Sequence, residues 1–524
     1  MPIIEELSDS NDDNSSSQPP PHHVTSEQQA SAALDKALHI VRDEAKPIEA
    51  RYHEILLQLT PLEIYFPSAP PRTVPAFEER ILTLLRPHPA LVPSIASIDD
   101  DDAKETSPAL SLYHTLSVKL LRLLKPHTLT PTVDFALTVS SLTNPDDAFT
   151  STEASTIAIS LLNSNNPSRY PHDIVITGIL KDTIKPLFTH RTVSATRITP
   201  AGRLAIRDTT ANADLIVDNL PWSTTLPSVM AVLEWVISTG LTDADLETAW
   251  PLLIPPILSI NDSHVIKLRT RGIGMITMLL KRLEMAKNDL LRRTGLGGVL
   301  WEAVERGLGY FPPLTAVKDC VAINRKATEC LRLMARVREP EETERRAALL
   351  DRIVREGFVK GMVYAGEKLE LVEVLVNGLN SVIEDMGVWA VRHLQAVLPL
   401  LSEILGNPFG TTYLPLLHKT LQAEQTAICT CWPRLSEHVP ELLHGISACW
   451  AQILEDEQVP RMNQTKKQDL DALKTELRKT AAMVEAVMIA LEKSEGNEAS
   501  ARWHEIKRSV IEVDPGFEGL FEGA

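Results

Sequence analysis

Residues 250–283 read W-P-L-L-I-P-P-I-L-S-I-N-D-S-H-V-I-K-L-R-T-R-G-I-G-M-I-T-M-L-L-K-R-L, followed by L-L-R-R-T-G-L-G-G-V-L-W-E-A-V at 290–304 and F-P-P-L-T at 311–315. An apolar helix carrying Pro255 and Pro256 turns at Asn261-Asp262 into a second apolar helix, with basic residues one to two turns in. Two such helices cannot bury their inner faces alone, so hairpins of this kind stack on neighbours. Stacked hairpins make long surfaces that hold other proteins and seldom make active sites.

Working outward, the same grammar recurs. Val229, Val232, Leu233 and Val236 share one helical face, closed by Gly240 as a stop. Thr242-x-x-Asp245 resembles a capping box that opens the next helix. The 3–4 spacing returns at Val372, Leu375, Leu379 and Val382, and at Val439, Leu442, Ile446, Trp450 and Ile453. Leu470, Leu473, Leu477, Ala481, Val484 and Leu491 predict one helix of ~30 residues. Two units also match each other. Asp262…Arg269 and Asp385…Arg392 each set an acid, six residues, then an arginine, with Val265/Val388 and Leu268/Val391 in register. The acid is expected in the inter-helix turn, capping the second helix, and the arginine on a turn acid or a carbonyl of the next repeat. The fold expected is all-α: a HEAT-like α-solenoid of stacked helical hairpins behind a disordered acidic N-terminal tail.

Composition agrees. Of 524 residues, 44% are hydrophobic but only 5% aromatic, which suits helices better than a sandwich or barrel. The formal charge of −17 argues against a general binder of nucleic acid or anionic membrane. No uninterrupted apolar run approaches membrane-spanning length. Five cysteines (Cys320, Cys330, Cys429, Cys431, Cys449) suit a reduced compartment, so a soluble intracellular protein is expected, in the cytoplasm and secondarily the nucleus.

The expected divisions are a tail at 1–27, irregular helical hairpins at 28–188 and a long loop or crossover at 189–225. Central repeats at 226–337, C-terminal repeats at 338–460, and a long amphipathic helix with the C-terminal segment at 461–524 complete the chain. No glycine precedes Gly178, whereas 21 of the 36 prolines lie at or before Pro200. A glycine-free segment is a poor place for a phosphate-cradling loop.

The search for chemistry ends in rejections. His53-Glu54 and His504-Glu505 lack the second histidine of a zinc-protease helix, with Leu57 and Arg508 in its place. Gly445-I-Ser447-A-Cys449 ends in cysteine where a nucleophile elbow needs glycine. Gly295-L-Gly297-G follows a helix and reads as a stop and restart, with Gly295 in the left-handed region. Cys429-T-Cys431, with His438 and His444 downstream, matches no usual zinc spacing. No catalytic, cofactor-binding or metal-ligating set is expected. The basic groups Lys267, Arg269, Arg271, Lys281, Arg282, Arg292 and Arg293 read first as helix faces satisfied by the excess of acids, and alternatively as a patch for an acidic partner.

L-L-I-P-P-I-L-S-I-N-D at 252–262, K-L-R-T-R-G at 267–272, L-L-R-R-T-G-L at 290–296 and P-P-L-T at 312–315 resemble the Tel-two-interacting protein two family. L-K-D-T-I-K-P-L-F at 180–188, T-P-A-G-R at 199–203, L-P-L-L-S-E-I-L-G-N-P-F at 398–409 and C-W-P-R-L at 431–435 fit the same pattern. The order and spacing of these pieces carry the resemblance, over about 178–455. Asn261-Asp262 departs from it where two acids are expected. The resemblance implies a non-catalytic subunit of the TTT complex, partnered by the Tel-two protein and the first Tel-two-interacting protein. Acting with Hsp90 and R2TP, that complex matures and stabilises PI3K-related kinases of the TOR, ATM and ATR classes. No cofactor, nucleic acid or membrane is implied.

On this reading, hairpins of about 349–454 dock side by side with a partner solenoid. Exposed Arg392, His393 and Arg434 contribute, and Trp389 and Trp432 are core residues or anchors. Arg292 and Arg293 are ambiguous between structure and interface. Pro255, Pro256, Asp262, Arg269, Gly272, Gly295 and Asp385 serve repeat geometry. The alternative is a HEAT-type solenoid carrying a basic cargo in an acidic groove, which salt would release more readily than an apolar subunit contact.

Overall fold

The computed structural model of the protein describes residues 22–88, 91, 107–127, 131–164, 170–188, 228–341, 343–366, 368–458, 464–495 and 499–522. Among the described residues every regular element is helical and no strand occurs. The expected loop at 189–225 lies outside the described residues, as does most of the expected tail. The tail's last positions do not fit the expectation, because helix α1 (His22–Arg42) begins inside it. The chain divides into two compact units, one of Met1–Ser94, Asp100–Ile179 and Asn212–Trp235, and one of Ile95–Asp99, Leu180–Ala211 and Val236–Ala524.

In the first unit α1 packs against α2 (Ile48–Gln58), α3 (Thr60–Tyr65) and α4 (Val74–Leu85). Helix α5 (Pro108–Leu124) lies against α2, α4 and α7 (Thr152–Ser164), and α6 (Val133–Ser140) bridges α4 and α7. The abundant prolines explain themselves here. Pro61, Pro75 and Pro108 stand in the first turns of α3, α4 and α5, where a missing N–H costs nothing and a fixed φ favours the helix. Thr132 caps α6 through its hydroxyl, which accepts from Phe135 N at 3.1 Å. Ile55, Phe66, Ile81, Tyr113, Leu120 and Phe135 are buried at this unit's centre.

The second unit is a stack of hairpins. Its front helices are α9 (Ile266–Met285), α11 (Val317–Arg338), α13 (Leu369–Met386), α15 (Leu414–Cys431) and α17 (Gln464–Glu495). Each packs on the next, and they begin roughly every fifty residues, close to the period of helical-hairpin repeats. Behind them run α8 (Leu246–Asn261), α10 (Gly297–Glu305), α12 (Glu344–Arg352), α14 (Leu394–Leu405), α16 (Val439–Glu457) and α18 (Ala499–Val513). Helix α13 shows why these sequences are helices. Leu371, Val372, Leu375, Val376, Leu379, Val382, Ile383 and Met386 recur at 3–4 spacing and are all buried, each worth roughly 1.5–3 kcal/mol. Gly387 ends it at φ 56°, a conformation that side-chain-bearing residues avoid. The predicted long helix is α17, and its six periodic positions from Leu470 to Leu491 are all buried.

Residues 369–405 form the one described stretch long and apolar enough to cross a membrane, with mean hydropathy 1.2. Half of that window is buried, and the break at Gly387 makes it two core helices of the stack. Close approach holds the first hairpin together. A Cβ on Gly272 would sit 2.9 Å from the Asn261 backbone, so α9 touches α8 where only hydrogen fits. Asn261 is itself buried and donates to the Ala303 carbonyl at 3.1 Å, tying the first hairpin to α10.

Candidate protein interface

The C-terminal ends of neighbouring front helices lie together, which fixes them as parallel. Arg336 Nε on α11 meets Glu284 Oε1 of α9 at 2.9 Å, and Arg332 Nε meets Asp385 Oδ2 of α13 at 2.6 Å. Asp385 was expected in an inter-helix turn as a cap. It lies instead in the last turn of α13, nearly buried, and accepts from Arg332 and, at 3.5 Å, Arg336 of the preceding helix. The matching acid also departs from expectation. Asp262 is exposed at the end of α8 and does not cap α9, whose start has no side-chain cap. Among the described residues its one ion pair, to Arg306, is 3.5 Å long.

Arg269 turns back to the Ser263 carbonyl at 3.1 Å in its own hairpin, with its guanidinium 5.4 Å over the Tyr310 ring. Its partner is a carbonyl of its own turn, where a turn acid or a carbonyl of the next repeat was expected. Gly295 adopts φ 70°, as the stop-and-restart reading requires. The expected capping box does not open α8: Thr242 Oγ1 accepts from Asp245 N at 3.3 Å and donates to the Asp245 carboxylate at 2.6 Å, closing the turn before the helix, whose N-cap Asp245 makes no side-chain cap. Pro256 is buried and Pro255 exposed within α8.

The expected interface residues divide. His393 is not exposed. It is buried, with Nε2 2.7 Å from Asp351 Oδ1, because the segment after α13 folds back over α12. Arg392 joins it on Asp351 at 2.9 Å and lies 5.2 Å over the half-buried Trp389 ring. These two bind the chain to itself. Trp432 and Arg434, one repeat further on, are exposed. Arg292 is exposed, and Arg293 pairs with Glu247 at 3.0 Å. Others of the basic cluster are engaged within the chain: Lys281 with Glu329 at 2.7 Å, and Arg282 with the Ile237 and Leu241 carbonyls at 3.0 Å each.

Sequence reading missed a second set, on the opposite ends of the front helices. Leu314 is 96% exposed, Val363 and Phe409 76% each, and Tyr364 53%. Leu314 and Phe409 stand in the turns before α11 and α15, and Val363 and Tyr364 on a short helix, Lys360–Ala365, that leads into α13. These connections adjoin: Phe311 stacks on Tyr364 with centroids 5.7 Å apart, and Tyr413 donates to Glu373 Oε2 at 2.6 Å. That hydrogen bond, with the burial around it, pushes the Tyr413 phenol up to about 12. The edge is therefore apolar at three successive connections into front helices, and each such side chain, once covered, returns roughly 1.5–3 kcal/mol. A signal existed. Leu314 and Phe409 sit inside proline and glycine turns, F-P-P-L-T and G-N-P-F-G, where no helical face can bury them.

The cysteines do not converge. Cys429 is exposed while Cys431 is buried, and burial raises the Cys431 thiol and pushes Cys449 and Cys330 up to about 12. Thiols held in that form are poor nucleophiles and poor metal ligands. Ser447 lies within α16, where its hydroxyl donates to the Leu443 carbonyl. Among the described residues no three His, Cys, Asp or Glu side chains form a metal-holding group.

Comparison with known proteins agrees with the resemblance and shifts its limits. TEL2-interacting protein 2 of Saccharomyces cerevisiae is 26% identical over 213 residues, 38% of this chain and 50% of the relative. The aligned stretch thus spans about half the length of that curated relative. A profile of the Tti2 family matches residues 135–412, starting earlier and ending earlier than the pieces quoted above. The match takes in α6, the first hairpins of the second unit and the three apolar connections, and it covers more than half of the chain. The chain belongs to the Tti2 family.

Proposed function

We propose that this protein is a non-catalytic, HEAT-type scaffold subunit of the TTT complex, partnered by the Tel-two protein and the first Tel-two-interacting protein. Its role is to support, with Hsp90 and R2TP, the maturation and stability of PI3K-related kinases of the TOR, ATM and ATR classes. It does so in the cytoplasm and in the nucleus. The observation that carries this reading is the apolar edge of Leu314, Val363, Tyr364 and Phe409, on a chain of this family. Side chains this exposed, spaced one per hairpin, fit the edge of a second helical repeat protein that matches them turn for turn. Trp432 and Arg434 on the other edge supply an aromatic and a cationic contact. The name of the yeast relative, which describes a TEL2-interacting protein, supports the partner.

Glu284, Glu329 and Asp385 on the front face are each paired with a base, which speaks against an acidic groove for a basic cargo. The test is affinity purification of a tagged chain from native extract. The wild type should return a larger helical-repeat protein, and Leu314→Asp with Phe409→Asp should lose it while keeping a wild-type circular dichroism spectrum. Retention of the partner by that double variant sinks the edge as the contact. Recovery of the wild type alone sinks the subunit role.

A further inference from the structure

We infer that the groove across the front faces of α11, α13 and α15 binds an acidic peptide segment. It has a volume of about 370 Å³. Gly378 on α13 and Thr328 on α11 line its floor, and a Cβ on Gly378 would fall 3.1 Å from Thr328 Cγ2, so a side chain there would crowd Thr328.

The groove's own charges are unevenly engaged. Of its acids, Glu329 is neutralised by Lys281 at 2.7 Å, while Glu373 accepts from the neutral Tyr413 hydroxyl at 2.6 Å and keeps its charge. Arg332 is held by Asp385 at 2.6 Å. Two cations are left over. Among the described residues Arg325 has no carboxylate partner, and Lys419 reaches only Gln422 Oε1, at 3.4 Å. They flank the floor from α11 and α15, and the exposed Asn377 side chain between them adds amide donors. Two cations without a carboxylate partner against the one remaining charged acid, Glu373, leave the groove net positive, which favours carboxylates, and on a chain of net charge −17 such a site stands out against its surroundings. This inference is independent of the subunit reading, which uses the helix-turn edges.

The test is fluorescence anisotropy of a labelled ten-residue peptide of alternating Glu and Ser, titrated with the full chain at low and moderate salt. Saturable binding that weakens with salt is expected. Arg325→Glu with Lys419→Glu should weaken it about ten-fold or more, while Arg502→Glu with Arg508→Glu, the same charge change on exposed α18 positions, should leave it within about two-fold. Gly378→Ala, which narrows the groove without changing charge, should also weaken it by about three-fold or more. The inference is overturned if the α18 pair has the same effect as the groove pair, or if Gly378→Ala binds like wild type. Equal binding of a Lys-Ser peptide, tighter binding of a single-stranded oligonucleotide, or no saturation would overturn it as well.

Discussion

Gly272 and Gly274 sit two residues apart in α9 and should respond to alanine in opposite directions. At Gly274 a Cβ meets nothing within 4 Å, so Gly274→Ala gains only helix propensity, up to about 1 kcal/mol of added stability. At Gly272 the same methyl group would sit 2.9 Å from both the Cα and the N of Asn261, against a normal contact distance of roughly 3.5–4.0 Å. Those are backbone atoms of α8 and cannot rotate away. The hairpin must open, at an overpacking cost of about 1–3 kcal/mol. Opening also strains the Asn261 to Ala303 hydrogen bond, worth about 1 kcal/mol. Subtracting one variant from the other cancels the propensity gain and leaves the steric term. Urea unfolding followed by circular dichroism should place the Gly272→Ala midpoint below wild type and the Gly274→Ala midpoint at or above it, with unchanged slope. If the two variants unfold together, or Gly272→Ala is the more stable, α8 and α9 do not meet as described.

Other outcomes follow from single buried groups. Asp385→Ala leaves Arg332, about a fifth exposed, without its carboxylate, and should cost about 1–3 kcal/mol in the same unfolding assay. Burial pushes the Glu78 carboxyl up to about 7 and raises that of Glu424, whose oxygens have no partner among the described residues, well above the usual range. A folded-state pKa raised in this way means stability fully present below the unfolded carboxyl value and lost as pH rises through the folded one. For Glu78 that window runs from about 4.5 to about 7. Midpoints of Glu78→Gln and wild type should therefore diverge in the variant's favour across it and run parallel above, and Glu424→Gln should diverge further up the scale. Trp432→Ala with Arg434→Ala should weaken partner recovery in affinity purification without moving the unfolding midpoint by more than roughly 0.5 kcal/mol, since both side chains are exposed.

Much of this architecture is written locally. Apolar spacing from Leu470 to Leu491 specifies a helix wherever it falls, Gly295 needs positive φ, and Thr242 with Asp245 closes a turn within four residues. What sequence could not supply is set by partners about forty to fifty positions away. Asp385 looks like a turn acid until α11 brings Arg332 beside it, and His393 looks like a surface group until Asp351 arrives from α12. The wide helical turns at Ile353–Val359 leave no compositional mark either. Exposure fails for the same reason: Trp432 resembles a core aromatic, and only the stack shows that more than a third of it stays open to solvent.

The central claim is that piled hairpins leave an apolar edge filled by a second helical repeat protein. Native mass spectrometry of the tagged chain, purified at moderate salt, addresses it directly. The account predicts a complex containing this 58.0 kDa chain together with a larger helical-repeat subunit. A spectrum holding the 58.0 kDa chain alone would contradict it.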